Sequence, residues 1–108
     1  MKYLKSFENK GEQKFKVGDY VVVKNINQYY NNYPYDLIEY MKNTVAIAGY
    51  VGRHYIHVEY YNVPIKFKDY FDNYNRIDES FPEDDVRFAT PEEIEDYKLE
   101  KKANKYNI

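Results

Sequence analysis

The sequence predicts a small, mainly β domain that closes with a helix. Three observations predict it. Short runs rich in β-branched and aromatic residues recur between glycine and aspartate turn signals. One of these runs, His54–Tyr61, alternates apolar and polar residues with the period of a strand. Near the end, Thr90-Pro91-Glu92-Glu93 carries an explicit helix start, with Thr as the cap, Pro at the first helical position and Glu at the third.

Taken in order, residues 1–14 are polar apart from Tyr3, Leu4 and Phe7 and are expected to form a flexible arm. In Phe15–Lys24, the Gly18-Asp19 turn signal precedes Tyr20-Val21-Val22-Val23, which reads as a strand buried on both sides for part of its length. A long excursion follows over 25–43. Asp36 and Glu39 have capping-box spacing there, and Leu37, Ile38 and Met41 suggest a helical turn or two. Thr44–Val51 and His54–Tyr61 read as a β-hairpin joined through Gly52-Arg53. In its second arm, Ile56, Val58 and Tyr60 form the core face, while Tyr55, His57, Glu59 and Tyr61 share the other. Val63–Lys68 is a third candidate strand, with Pro64 suited to a strand start. Residues 69–85 read as a disordered acidic linker, with Phe71, Tyr74, Ile77 and Phe81 as its anchors. Val86–Ala89 is a short closing strand. After the Thr90 cap, Ile94, Tyr97 and Leu99 give a weak apolar stripe.

Composition narrows the function classes. At 108 residues there is room for one domain. With no cysteine, disulfides and thiolate metal sites are excluded. No apolar run reaches the roughly 20 residues of a membrane span, and Met1–Lys10 lacks the apolar stretch of a secretory signal. The expected location is the cytoplasm. Fifteen tyrosines, six phenylalanines and no tryptophan fit AT-rich coding and also supply amphipathic contact area. Charge is uneven. Residues 1–68 carry ten Lys/Arg against six Asp/Glu (+4), whereas residues 69–108 carry six against twelve (−6). That acidic second half repels phosphate and favours a protein partner over nucleic acid.

Val17-Gly18-Asp19-Tyr20-Val21-Val22-Val23 resembles the opening strand of SH3-like and KOW-like small barrels, and Thr44-Val45-Ala46-Ile47 through His57-Val58-Glu59-Tyr60 looks like their central hairpin. Glu83–Ile94 is similar to the ending of many phage-encoded small barrels, in which a short turn, a last strand and a threonine-proline cap close the domain. The resemblance implies an SH3-like barrel of about five strands over 15–89, with a short helix in the 25–43 excursion and a helical tail over 90–108. It carries over no ligand site. Asn25-Ile26-Asn27 stands where a KOW element has its glycine, and the tryptophans of peptide-binding SH3 domains are absent.

Catalytic patterns are weak. Ser6 and Ser80 lack a glycine elbow. His54 and His57, three apart on a strand, would face opposite ways, which disfavours a shared metal site; His57 shares its face with Glu59. The oxygen donors Asp69, Asp72, Asn73, Asn75, Asp78 and Glu79 do not fit an EF-hand, which needs a central glycine. Gly49-Tyr50-Val51-Gly52 has the letters of a KH-domain loop but joins strands, so it reads as a hairpin turn. No metal or cofactor is expected.

The richest candidate surface is the loop with Tyr29, Tyr30, Tyr33 and Tyr35 among Asn31, Asn32 and Pro34. Tyrosine with asparagine combines rigid contact area with adaptable hydrogen bonding. Arg53, Tyr55, His57 and Tyr61, on and beside the polar arm of the hairpin, complete the candidate partner-binding set. The expected function is that of a non-catalytic protein-binding module of phage or mobile-element origin. It would be a virion or accessory component, or an inhibitor of a host defence protein. The alternative is a nucleic-acid-binding barrel using Lys24, Lys42, Arg53, Lys66 and Lys68, with rings stacking on bases.

Overall fold

The computed structural model describes residues 15–26, 32–72 and 75–106, with side chains through residue 100. Among these residues are strands β1 (Tyr20–Val23), β2 (Ala46–Val51), β3 (Tyr55–Tyr60), β4 (Ile77–Pro82) and β5 (Val86–Phe88). Helix α1 (Tyr35–Lys42) lies between β1 and β2, and α2 (Pro91–Tyr106) follows β5. The strands form one antiparallel sheet in the order β4-β3-β2-β1-β5. It is open, with β4 and β5 as its edges.

The turn before β1 is built as its sequence suggests. Asp19 N donates to Lys16 O at 3.0 Å, and Gly18 takes a φ of 97°, which a side chain would disfavour. Lys16 N in turn donates to the Asp19 carboxylate at 2.8 Å. All three valines of β1 are buried, but against different neighbours. Val21 and Val23 join the main core with Ile56, Val58, Tyr60, Ile77, Phe81, Leu37 and Met41. Val22 points to the other face, where it meets Val45, Ala89 and Tyr97. Fully burying a valine contributes about 1.5–3 kcal/mol, so both faces of β1 matter to stability.

Helix α1 lays Leu37, Ile38 and Met41 on the core. It is tied to β3 by the Tyr60 hydroxyl, which donates to Met41 O at 3.0 Å; complete burial drives that phenol's pKa up. The expected capping box at Asp36 is not formed. Pro34 occupies the cap position in an extended conformation and no side chain caps the helix, because the helix begins one residue before Asp36. Asp36 instead faces Lys66 at 3.9 Å.

The hairpin of β2 and β3 is in the expected place, with a register shift between Ala48 and Tyr50. The connection is Gly52–His54, closed by Gly52 N donating to Tyr55 O at 2.8 Å, whereas Gly49 to Val51 belong to the strand. The Gly49–Gly52 stretch is therefore strand in all but its last residue, rather than wholly turn.

Two expectations after the hairpin are corrected. Val63–Lys68 is not a strand: Ile65–Tyr70 forms 3-10 turns with a kink at Phe67. In a strand Val63, Ile65 and Phe67 would share a face, but Ile65 is 67% exposed while Val63 and Phe67 are buried. Asn62, with φ of 58°, and Pro64 redirect the chain before a ladder can form. Nor are residues 69–85 a disordered linker. Residues 77–82 are strand β4, paired with β3 along its full length from Tyr60↔Ile77 to Tyr55↔Pro82. Ile77 and Phe81 are buried to the last per cent, and that anchorage offsets the acidic character of the segment. A 3-10 turn, Glu83–Asp85, then leads into β5.

As an edge strand β4 is blunted against further pairing. Asp78 N donates to the Asp72 carboxylate at 2.7 Å, Ser80 N to the Glu79 carboxylate at 3.1 Å, and Pro82 has no N–H.

The start of α2 is the capping box that Thr90-Pro91-Glu92-Glu93 predicts. Glu93 N donates to Thr90 Oγ1 at 3.1 Å, and Thr90 N to Glu93 Oε1 at 2.9 Å. The helix lies on the sheet face opposite the main core. Tyr97 packs with Val22, Val45 and Ala89, and meets the Tyr20 ring edge-on at 5.7 Å. Arg87 of β5 clamps Glu93 with two 2.8 Å hydrogen bonds. This outer face is thus divided. Helix α2 covers the β5-β1 half, and among the described residues no other element covers the β3-β4 half.

Candidate binding face

The uncovered half collects most of the polar chemistry of the hairpin. Antiparallel register sets His57 opposite Ser80, Glu59 opposite Asp78 and Tyr55 opposite Pro82, all pointing outward. From β2, the register shift brings Tyr50 opposite His57. It also places Gly49 beneath the Glu59 carboxylate, where a Cβ would collide with it, so glycine is what lets that carboxylate lie across β2.

Each charged group on this face has a defined neighbour. The Tyr61 hydroxyl donates to Glu59 Oε1, and this hydrogen bond chiefly raises the phenol's pKa. Arg76 grips Asp78 with both arms, Nε to Oδ1 at 2.9 Å and Nη2 to Oδ2 at 2.8 Å. That pairing holds the guanidinium above its ordinary pKa, and the same group lies 5.8 Å from the Tyr61 ring centroid. His57 Nδ1 sits 3.3 Å from Ser80 Oγ, while Nε2 looks toward Asp78 Oδ2 at 3.9 Å. At the hairpin end the Tyr50 and Tyr55 rings stack at a tilt, 6.1 Å between centroids. They are 54% and 43% exposed, and Arg53 is exposed in the adjoining turn.

Of the residues singled out from sequence, the structure brings Tyr55, His57 and Tyr61 together on this face, with Arg53 at its end. It does not bring Tyr33 there. The Tyr33 hydroxyl donates to Glu79 Oε2 at 3.1 Å, and its ring meets Tyr70 edge-on at 5.6 Å; Glu79 leaves β4 on the side opposite Asp78 and Ser80. Tyr35 opens α1 and is 76% exposed. Tyr29 and Tyr30 lie outside the described residues. Sequence reasoning missed Tyr50 and Arg76, and it weighed Asp78 as a calcium donor and Ser80 as a nucleophile before setting both aside. The alternation of Ile77 and Phe81 with Asp78 and Ser80 carried the signal for the last two. The candidate cations do not line one groove free of acids: Lys42 faces Glu39 and Lys66 faces Asp36, each at 3.9 Å.

A cleft of about 530 Å³ runs between α2 and the end of α1, lined by Tyr40, Thr44, Glu93, Asp96, Tyr97 and Glu100 among others. Burial pushes the Tyr40 and Tyr97 phenols up to about 12, and the Arg87 hydrogen bonds hold Glu93 down at about 2. At neutral pH these three groups present fixed donors and a fixed charge, not a group poised to exchange a proton.

Compared with known proteins, the chain matches no family model, no curated protein and no solved structure. Among the described residues no helix is long and apolar enough to cross a membrane.

Proposed function

We propose that this chain is a non-catalytic protein-binding module, built as a small SH3-like barrel of the kind phages and mobile elements encode, and that it engages its partner through the uncovered β2-β3-β4 face. It serves as a virion or accessory component, or as an inhibitor of a host defence protein. The barrel reading is supported by the strand order, in which the fifth strand returns to the free side of the first, and by the one-turn 3-10 link between β4 and β5. The binding reading rests on one observation: two stacked, exposed tyrosines beside Arg53, at the end of the half of this sheet face that α2 leaves open among the described residues. Tyrosine and arginine are the residue types that anchor protein interfaces. The carboxylates facing Lys42 and Lys66 favour a protein over a nucleic-acid partner.

The test is affinity capture from cells of the natural host, read by mass spectrometry, with three versions of the chain. The double variant Tyr50→Ser/Tyr55→Ser is expected to lose the partner that wild type retains, and Tyr35→Ser to keep it. Loss with Tyr35→Ser alone would move the site to α1. Retention by all three would sink the tyrosine reading altogether.

A further inference from the structure

His57, Glu59 and Asp78 each offer one ligand atom, and these atoms all lie within 4.8 Å of one another. The three come from paired strands, so their separation is set by the ladder rather than by loop conformation. We propose that they form a binding site for a single divalent transition-metal ion of the zinc class. This inference does not depend on the partner-binding reading.

The spacing is the first argument. At 3.9 Å, His57 Nε2 and Asp78 Oδ2 are too far apart to share a hydrogen bond. Two ligands on a tetrahedral ion with bonds near 2.0–2.2 Å are about 3.4 Å apart. Closing that gap takes a few tenths of an ångström for this pair, and Glu59, whose ligand atom lies within 4.8 Å of both, closes at most about 1.4 Å by side-chain rotation.

The outer partners are the second argument, and they are independent of the spacing. A metal-binding histidine presents one ring nitrogen and has the other fixed by an oxygen, and its carboxylate co-ligands are themselves hydrogen-bonded. Here Ser80 Oγ takes Nδ1 of His57, leaving Nε2 for the ion. Tyr61 orients Glu59, and Arg76 orients Asp78 through both carboxylate oxygens, so the ion takes the second lone pair of Oδ2. Gly49 leaves the room in which the Glu59 carboxylate lies. All three ligands are half-buried, which limits competing water but leaves an entry path.

Ligand chemistry selects the class of ion. One imidazole with two carboxylates suits zinc and its first-row neighbours, whereas calcium and magnesium prefer oxygen alone. With Glu59 and Asp78 ionised and Arg76 charged, the cluster carries −1, which draws a cation. Three protein ligands leave a fourth position for water or for a side chain of a bound partner.

Tag-free protein titrated with Co²⁺ tests this directly. The expected result is a saturable visible d–d spectrum at one ion per chain, displaced by Zn²⁺. His57→Ala and Asp78→Asn should abolish it, while Tyr61→Phe and Ser80→Ala should weaken binding roughly 10-fold. His54→Ala, changing the other histidine, should leave it intact. Far-UV circular dichroism on each variant separates lost ligation from lost folding, and Glu59→Gln supplies a near-isosteric second probe. A wild-type chain with no saturable spectrum overturns the proposal. So does unchanged binding by folded His57→Ala, or loss on His54→Ala in its place.

Discussion

The two halves of the sheet's outer face are made of the same backbone ladder and serve opposite ends. On the β5-β1 half, Val22 and Ile47 lie under Ile94 and Tyr97 of α2, and the Arg87–Glu93 clamp sits at the margin. On the β3-β4 half, the matching positions hold His57, Glu59, Asp78 and Ser80, half-buried and cross-linked by hydrogen bonds. The boundary falls at one cross-strand pair: Ile47 of β2 packs toward the helix, and its partner Glu59 belongs to the polar cluster. A helix placed over half a sheet thus turns one face into two surfaces, one apolar and packed, the other polar and the one proposed above for recognition.

Placing the same polar residue on each half gives the largest expected contrast. Val22→Asn buries an amide without partners and removes apolar contact, and should cost about 3–5 kcal/mol. Ser80→Asn changes one polar group for another at a half-buried polar site and should stay within about 0.5 kcal/mol of wild type. Urea midpoints at unchanged m-value measure both. Equal losses would mean that the β3-β4 half is packed after all.

The difference between the halves was partly legible in the residues. An unbroken Val21-Val22-Val23 run calls for burial on both faces, and the second face is the one α2 covers. Strict alternation over Tyr55–Tyr60 calls for one buried face, and that is what β3 has. The Thr90 cap announced α2, but nothing in its charged sequence said which surface Tyr97 would cover. Strand β4 was obscured because its inward positions, Ile77, Glu79 and Phe81, include a carboxylate, which accepts from the Tyr33 hydroxyl far away in sequence and from the adjacent Ser80 N. Val63, Ile65 and Phe67 misled in the reverse direction, since period-two spacing there coincides with 3-10 turns that expose Ile65. Without β4 the partners of His57 and Glu59 are invisible, so half of the candidate face was readable and the acidic half was not.

An intermediate effect tests how firmly the cover is held. Thr90→Ala removes the hydroxyl that accepts from Glu93 N and should cost about 1 kcal/mol. Since α2 shields Val22, hydrogen exchange should quicken across α2 and β1 while β3 and β4 keep their protection. Uniform quickening across the sheet would show that the two halves unfold as one unit.

The smallest effect isolates the charge in the clamp from its geometry. Arg87 chiefly, with the Thr90 backbone, lowers the Glu93 pKa from 4.5 to about 2. A carboxyl whose folded pKa is depressed stabilises the fold at pH values above 4.5, and that contribution fades as pH falls toward 2. The pair is partly exposed, so the gain should be no more than about 1 kcal/mol. Glu93→Gln keeps a side chain that can complete the capping box but loses the charge. Wild type should therefore exceed Glu93→Gln in stability at pH 7, and the two urea midpoints should converge as the pH approaches 2. A gap that survives at pH 2 would assign the clamp's contribution to the shape of the glutamate rather than to its ionisation. In that case α2 would be held over Val22 by packing and capping alone.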